Sequence, residues 1–329
     1  MIRYPSIDQF RNAIGAVHKL SFQQNCRRDA DGNPIEGMLR NWKFPEVVFT
    51  GTVKLHGTNA AVVVRDGVVG YQSRNRDLTP DDDNAGFAAW ASQHEAAWQQ
   101  MAAPFGNLIV YGEWCGGTIQ HGVALTGLPT MFVIFEGHVV DGDYIDIAEL
   151  AGLPPQTFKS TDFPTWTVAV DMENPQLVQN ELVAITLAVE EECPVGKHFG
   201  VSGVGEGVVW SADVLGHRIR FKVKGDKHSS HRVRTLAAIT AENPGTMAAF
   251  VEDALSARRL EQGIEFLKEH GLPIAIQSTG DFARWVVGDV VKEESDTMEA
   301  AGLDVGIAKK KIGSAAANRF KTSLWQLAA

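Results

Sequence analysis

Two valine-rich runs, at 60–65 and 68–72, flank the dipeptide Asp66-Gly67. An Asp-Gly pair between two such runs is the strongest short-range signal of a β-hairpin, because both residues tolerate the positive φ that the tight turn needs. A hairpin of this kind requires an antiparallel sheet. Further β-rich runs lie at 47–50, 53–56, 108–112, 131–138, 206–211 and 218–224. The first two-thirds of the chain is therefore predicted to be α+β with antiparallel sheets.

Helical signals are sparse before residue 227 and dominant after it. One helix is predicted to open at 81–83, with apolar or aromatic residues at 87, 90, 94, 98 and 101, and another to begin at Asn174-Pro175. After about Lys227, alanine, leucine and paired charges replace the strand-like pattern. Gly271 is predicted to close one helix, and Asp304 to begin a terminal helix. We place a domain boundary here, giving domains 1–228 and 229–329, the second all-helical.

Composition limits the class of protein. The 329 residues suffice for two compact domains, and 44% hydrophobic with 21% charged residues is ordinary for a globular protein. No apolar run reaches the length of a membrane span, and no signal-peptide core is present. Cys26, Cys115 and Cys193 are widely spaced, which excludes a cysteine zinc site or a disulfide framework. We expect a cytoplasmic protein without a membrane partner.

The net charge of −10 argues against a protein coated in nucleic acid, but not against a basic cleft in an acidic body. The stretch from Arg218 to Arg234 contains seven lysines and arginines but one acidic residue. Its last two basic residues are Arg232 and Arg234. We interpret it as a nucleic-acid contact. A second basic face lies at 309–311 on the terminal helix. The alternative for both is a solvated charged surface.

The stretch from Lys54 to Asn59 reads Lys-Leu-His-Gly-Thr-Asn and lies between two predicted strands. A lysine at a strand end beside a glycine turn is suited to covalent chemistry, because the turn lets a phosphate approach the backbone closely. An isolated K-x-x-G would be read as an exposed hairpin lysine. Here further motifs accompany it.

This stretch resembles the first motif of the covalent nucleotidyltransferases, in the K-x-H-G-T-N form of the RNA ligase 2 family, which includes RNA-editing ligases. The resemblance implies that Lys54 is the nucleophile that takes AMP from ATP. It also implies that Val53, Leu55 and Asn59 lie against the nucleotide. Relatives often have an acidic residue where Val53 stands, and the family contacts adenine there mainly through the backbone.

The remaining family motifs follow in order over roughly residues 45–226. The resemblance implies ribose contacts from an arginine and a glutamate, an aromatic ring stacked on adenine, a glutamate that serves the divalent metal, and two lysines on the ATP phosphates. In that order these residues are Arg74, Glu113, Phe135, Glu206, Lys222 and Lys224. Each motif alone is weak, but their joint order is strong support.

The residues themselves point the same way. Lys222 and Lys224 are two residues apart on one predicted strand, so they share a face and can form a paired cation site. The alternative is that both lysines belong to a solvated edge strand. Glu206 enters an apolar strand and needs a partner, either Mg²⁺ or a salt bridge. Phe135 by itself could equally pack in the core. His56 replaces the aspartate of DNA ligases, and we interpret it as a contact to phosphate or to the RNA strand end.

The resemblance implies a nucleotidyltransferase domain of antiparallel sheets, similar to ATP-grasp folds, followed by the small helical domain. It implies an ATP-dependent RNA ligase that joins 3′-OH and 5′-phosphate ends through lysyl-AMP and RNA-adenylate. The co-substrate is ATP, the metal is Mg²⁺ or Mn²⁺, and the partners are the ends of a nicked duplex or a broken RNA, bound by a monomer. The alternatives are a DNA ligase or a capping-type nucleotidyltransferase, which usually carry K-x-D-G and an OB domain, or a non-catalytic RNA-binding module with a nucleotide pocket.

Overall fold

The computed structural model describes residues 1–25, 30–31, 44–225, 247–300 and 302–328. The described residues pack as two compact units. The first unit contains Met1–Arg3, Thr58–Ile109 and the described residues from 247 onward. The second contains the described residues of 4–57 and 110–225. Neither unit is one continuous stretch of the sequence.

The secondary structure is mixed, as predicted. In chain order the strands are β1 (Glu46–Lys54), β2 (Thr58–Arg65), β3 (Val68–Ser73), β4 (Asp77–Leu78), β5 (Leu108–Cys115), β6 (Met131–Val139), β7 (Tyr144–Ile145), β8 (Thr157–Lys159), β9 (Thr165–Asp171), β10 (Gly207–Val214) and β11 (His217–Lys224). The α-helices are α1 (Phe10–Asn25), α2 (Phe87–Ser92), α3 (Glu95–Ala102), α4 (Gln179–Glu191), α5 (Pro194–His198), α6 (Met247–Ala254), α7 (Ala257–Glu269), α8 (Thr279–Ala300) and α9 (Val305–Ala328).

The second unit contains a four-stranded antiparallel sheet in the order β11-β10-β1-β9. Along β1, Phe49 and Val53 point into a hydrophobic core that also contains Trp210 and Phe221, and α1 packs against it through residues such as Val17. Because side chains alternate along a strand, Lys54 points to the other face. The sheet thus separates a dry core from the face that carries the polar residues.

The two β-rich runs at 47–50 and 53–56 belong to one strand, because β1 continues from Glu46 to Lys54. A Cβ at Gly51 would lie 2.8 Å from the ring of Trp210, so this glycine is needed for the close packing of that indole.

Strand β6 is the centre of a second group of strands in this unit. It pairs with β7 in the antiparallel sense and with β8 in the parallel sense. Strand β9 and helix α1 were not predicted from the sequence. The helix predicted from Asn174-Pro175 begins as one 3₁₀ turn, Pro175–Val178, and continues as α4.

The first unit contains the predicted hairpin. Arg65 pairs with Val68, and the two turn residues between them have positive φ, 52° at Asp66 and 76° at Gly67. The helix predicted over 81–101 is instead two helices, α2 and α3. The indole of Trp98 on α3 donates a hydrogen bond to the carbonyl of Ala91, at the end of α2, at 3.1 Å.

From residue 247 onward every described element is helical, and the predicted fold class is confirmed. Phe282 and Phe320 stack at 4.4 Å in the helical core, and Gly271 ends α7 with φ 64° as predicted. The side chain of Asp304 accepts a hydrogen bond from the backbone N–H of Ile307 at the start of α9. The predicted boundary between residues 228 and 229 lies outside the described residues and stays a prediction. Within the described ranges, no helix combines the length and apolarity needed to span a bilayer.

Candidate active site

One register row of the four-stranded sheet holds the candidate nucleophile. Gly207 pairs with Lys54 on β1 and with Lys224 on β11, so the two lysines flank a glycine on neighbouring strands. Gly207 has φ 146°, and a Cβ there would lie 2.2 Å from the carbonyl oxygen of Val223. Strand β10 therefore begins with a glycine, so no side chain from this position lies between the two lysines.

Glu206 precedes this glycine and is 2% exposed. Its Oε2 lies 2.7 Å from Nζ of Lys54 and 3.3 Å from Nδ1 of His56. Its Oε1 lies 3.2 Å from Nζ of Lys224. Three nitrogen-bearing side chains thus converge on one buried carboxylate, two from the segment at the end of β1 and one from β11.

The ion pairs with Lys54 and Lys224 keep the carboxylate of Glu206 ionised. Burial alone would raise the pKa of Glu206, but the ammonium groups of Lys54 and Lys224, with a hydrogen bond from His56, hold it well below its usual range. Glu206 is therefore ionised at neutral pH. It keeps both lysine side chains oriented over the start of β10.

The turn after Lys54 is fixed by its neighbours. The backbone N–H of Gly57 donates to Oε1 of Glu113 at 2.9 Å, and the side chain of Gln120 donates to the Gly57 carbonyl at 3.4 Å. A Cβ at Gly57 would lie 2.3 Å from the carbonyl oxygen of Trp114, so only glycine fits. Sequence reasoning missed Gln120, for which no motif or periodicity was available.

Strand β11 presents alternating apolar and basic faces. Ile219 and Phe221 are buried in the core, whereas Lys222 and Lys224 lie on the opposite face with their side chains half-buried. This alternation places the two lysines on one face of the strand, as predicted. Nζ of Lys224 lies 3.2 Å from Oε1 of Glu206. The role of Lys222 at a phosphate stays a prediction.

Three other residues of this unit were predicted to contact the nucleotide. The side chains of Val53 and Leu55 are buried in the hydrophobic core, which leaves only their backbone for a ligand. Phe135 lies half-buried on β6, and the ring of Tyr4 meets it edge-on with centroids 5.1 Å apart. Adenine stacking on Phe135 stays a prediction.

A buried charge network beside Phe135 was missed. Arg220 donates to both oxygens of Glu136, each at 2.6 Å, and His138 lies 2.8 Å from Oε1 of the same carboxylate. The hydroxyl of Tyr4 donates to Glu136 at 3.4 Å, and the guanidinium of Arg220 lies 5.5 Å from the Tyr4 ring centroid. The signal was present, because Glu136 is a carboxylate within the apolar strand β6.

We expect Glu136→Gln to lower the free energy of unfolding by about 3 kcal/mol, because it leaves the nearly buried guanidinium of Arg220 without a counter-charge. Burial would raise the pKa of Glu136, but His138 and Arg220 lower it below its ordinary value, so the carboxylate is charged at neutral pH. Urea unfolding measures the change.

Asp213→Asn is the matched control. Asp213 pairs with Arg218, also on β11, but its side chain is 64% exposed, whereas that of Glu136 is 5% exposed. The control should change stability by less than about 1 kcal/mol. Equal effects of the two substitutions would contradict a structural role for the buried pair.

Two predicted site residues belong to the first unit. Asn59 is half-buried on β2, beside Thr58, whose hydroxyl accepts a hydrogen bond from Asn84 at 2.8 Å. Arg74 is exposed in the connection between β3 and β4. Their contacts to a nucleotide stay predictions. Arg232 and Arg234, predicted to bind RNA, lie outside the described residues.

The described residues contain no group of three or more His, Cys, Asp or Glu side chains that could hold a metal ion. Mg²⁺ commonly needs only one or two carboxylates, with substrate phosphates and waters as its other ligands. Glu206 fits that limited protein contribution.

A family model described as RNA ligase matches residues 47–224, more than half of the 329-residue chain. This chain belongs to the RNA ligase family. The matched region begins in β1 and ends with β11. It therefore contains Lys54, Glu113, Glu206 and Lys224. No curated protein matches the sequence.

Solved structures of an RNA ligase from Naegleria gruberi resemble the chain weakly. The complex with PPi is 17% identical, with a TM-score of 0.45, over 69% of this chain and 57% of that one. A mutant with AMP and Mn is 17% identical, with a TM-score of 0.45, over 71% of this chain and 59% of that one. This family member thus spans less than two-thirds of the length of those ligases, and the assignment rests on the family match.

Proposed function

We propose that this RNA ligase family member is an ATP-dependent RNA ligase that joins 3′-OH and 5′-phosphate ends through lysyl-AMP and RNA-adenylate. The observation that carries the proposal is the convergence of Lys54, His56 and Lys224 on the buried carboxylate of Glu206. An amine nucleophile and a second cation are already oriented together there. That arrangement suits attack on a polyphosphate.

In the first step Nζ of Lys54 attacks the α-phosphorus of ATP. The N–P bond forms as the bond to the bridging oxygen breaks, and pyrophosphate leaves. Lys54 loses its ammonium proton to water before the attack, and a second proton once the N–P bond has formed. Glu206 holds Lys54 in place until ATP arrives.

Charge stabilisation is the main task of the remaining residues. Negative charge builds on the oxygens around the reacting phosphorus and on the leaving pyrophosphate. Lys224 and Lys222, on one face of β11, supply positive charge from an ordered strand, so little reorganisation is needed during the reaction. Mg²⁺ or Mn²⁺, held through Glu206, would neutralise further phosphate charge.

Two group transfers follow. An oxygen of the RNA 5′-phosphate attacks the AMP phosphorus, the P–N bond breaks, and the nitrogen of Lys54 takes a proton from water, which restores the amine. The RNA 3′-hydroxyl then attacks the activated 5′-phosphorus and gives its proton to water, and AMP leaves as the phosphodiester forms. His56, which shares Glu206 with the nucleophile, is placed to contact the phosphate or the strand end.

The RNA ends can come from a nicked duplex or from a broken strand, and we expect the protein to act as a monomer. We also expect a reducing, cytoplasmic environment, since Cys115 and Cys193 are buried free thiols. Asn59 and Arg74 would contact the nucleotide, with Arg74 and Glu113 at the ribose. Arg232 and Arg234 would contact the RNA backbone.

Incubation of the full chain with α-labelled ATP, GTP or labelled NAD tests the proposal. We expect covalent label from ATP alone, followed by its transfer to 5′-phosphorylated RNA and sealing of RNA ends. Label from GTP would favour a capping-type nucleotidyltransferase, and sealing restricted to DNA ends would favour a DNA ligase. Absence of label with intact RNA binding would favour a non-catalytic module.

A further inference from the structure

An open cleft lies in the second unit, away from the row of Lys54 and Lys224. One wall is a single face of α1, where Ala16, Lys19, Leu20 and Gln23 recur at spacings of three and four. The opposite wall is Gly216 in the turn between β10 and β11, the first three residues of β11 (217–219) and Tyr144. The cavity measures about 380 Å³, which falls in the range of pockets that hold one small ligand.

The charge of this cleft differs from that of the whole chain. The lining contains Lys19, His217 and Arg218 but no carboxylate, in a protein with 40 acidic and 30 basic side chains. Arg218 is oriented by hydrogen bonds to Asp213 at 2.8 Å and to the hydroxyl of Ser211 at 3.0 Å. Because Asp213 offsets part of the charge of Arg218, Lys19 carries the main positive charge of the lining, and this charge favours an anion.

Tyr144 gives the cleft an aromatic surface. Its hydroxyl accepts a hydrogen bond from Arg220 at 3.1 Å, and its ring lies against His138 with centroids 4.1 Å apart. It is nevertheless 41% exposed. A fixed and partly exposed tyrosine suits stacking with a base, and such stacking contributes to binding of single strands without sequence preference.

Strand β11 connects this cleft to the nucleophile. His217 begins the strand and Lys224, beside Glu206, ends it. Seven residue steps at about 3.3 Å each separate these ends by roughly 23 Å. That distance is too long for one nucleotide to contact both places. A stacked strand with one phosphate per about 3.4 Å would cover it with roughly seven nucleotides.

We propose that this cleft binds one nucleotide of the RNA strand whose end is being joined. The phosphate lies against Lys19, His217 and Arg218, and the base or ribose lies against Tyr144. This inference rests on the proposed RNA ligase function, because it identifies the occupant as RNA. The cleft fixes the body of the strand while its end reaches the Lys54 site.

The test compares Lys19→Glu with Lys197→Glu in the full chain. Both lysines are exposed helical residues of the same unit, and both substitutions change the net charge equally. Binding of 5′-phosphorylated RNA is measured by fluorescence anisotropy over a range of salt concentrations, without ATP. Lysyl-AMP formation is measured separately, so failure of the proposed enzyme activity is distinguishable from failure of the RNA site.

We expect Lys19→Glu to weaken binding of an RNA of about twelve nucleotides about tenfold, and to reduce the log–log salt slope by about one unit. Lys197→Glu should bind within about twofold of the unchanged protein, and both variants should form lysyl-AMP normally.

Substitutions at Tyr144 test the aromatic contact. Tyr144→Leu should weaken binding of the long RNA at least about fivefold, whereas Tyr144→Phe, which keeps the ring, should bind nearly normally. Equal RNA affinity and salt slope for Lys19→Glu and Lys197→Glu would overturn the proposal. So would loss of AMP binding by Lys19→Glu with RNA binding unchanged, because the cleft would then hold a free nucleotide.

Discussion

Lys54→Ala should reduce covalent labelling by α-labelled ATP to background. A phosphoramidate to AMP requires a primary amine, and the Nζ of Lys54 is the amine held against Glu206 in the row of Gly207. The measurement is label retained by the denatured protein after incubation with ATP and Mg²⁺.

Lys54→Arg is the matched variant for this experiment. Arginine keeps the positive charge beside Glu206, so the fold should be preserved, but a guanidinium stays protonated and cannot attack phosphorus. We expect it to unfold like the unchanged protein and to remain unlabelled. Lys197→Ala, which removes an exposed lysine paired with Glu192, should label normally. Labelling of Lys54→Ala at the normal level would show that another residue is the nucleophile.

Glu206→Gln should reduce lysyl-AMP formation by about 10²- to 10³-fold, the size of effect seen when one preorganised electrostatic contact is removed. It removes the counter-charge of Lys54 and Lys224 together with the carboxylate proposed to hold the metal. The free energy of unfolding should also fall by about 3 kcal/mol, since a buried ion-pair partner is lost. Label incorporation over time and urea unfolding measure the two effects.

The pH dependence has a defined sign. The folded-state pKa of Glu206 lies well below its ordinary value of 4.5, so its charge stabilises the fold above that value. The contribution is lost as the pH falls through the depressed pKa. The stability difference between Glu206→Gln and the unchanged protein should therefore be full near pH 7 and shrink only in acid below about pH 4. Glu192→Gln, on the exposed pair with Lys197, should show little difference at any pH. A Glu206→Gln difference independent of pH would contradict the ion-pair account.

The sequence by itself determined the local structure and the order of the site motifs. Asp66-Gly67 predicted the hairpin because few residue pairs accept two consecutive positive φ angles. Lys222 and Lys224 were predicted to share a face because side-chain alternation is a property of any strand. The motif beginning at Lys54 identified the candidate nucleophile, and the RNA ligase family match includes it.

Only the tertiary structure decided which of these residues meet. Glu206 was expected to have either a metal or a salt bridge, and the sheet register brings Lys54 and Lys224 to it from two different strands. The order β11-β10-β1-β9 that creates this register depends on contacts between segments more than 150 positions apart in sequence, Lys54 and Glu206 among them. No local pattern encodes such a contact.

The same reason explains what was missed. Glu136 and Arg220 are 84 positions apart, so the apolar run around Glu136 indicates that this carboxylate needs a partner but not which residue the partner is. The break between α2 and α3 was also missed, and so was the close packing of Trp210 against Gly51 of β1. Periodicity predicts which face of an element is apolar. The partner that packs against that face, and the charge buried beside it, are determined by long-range packing.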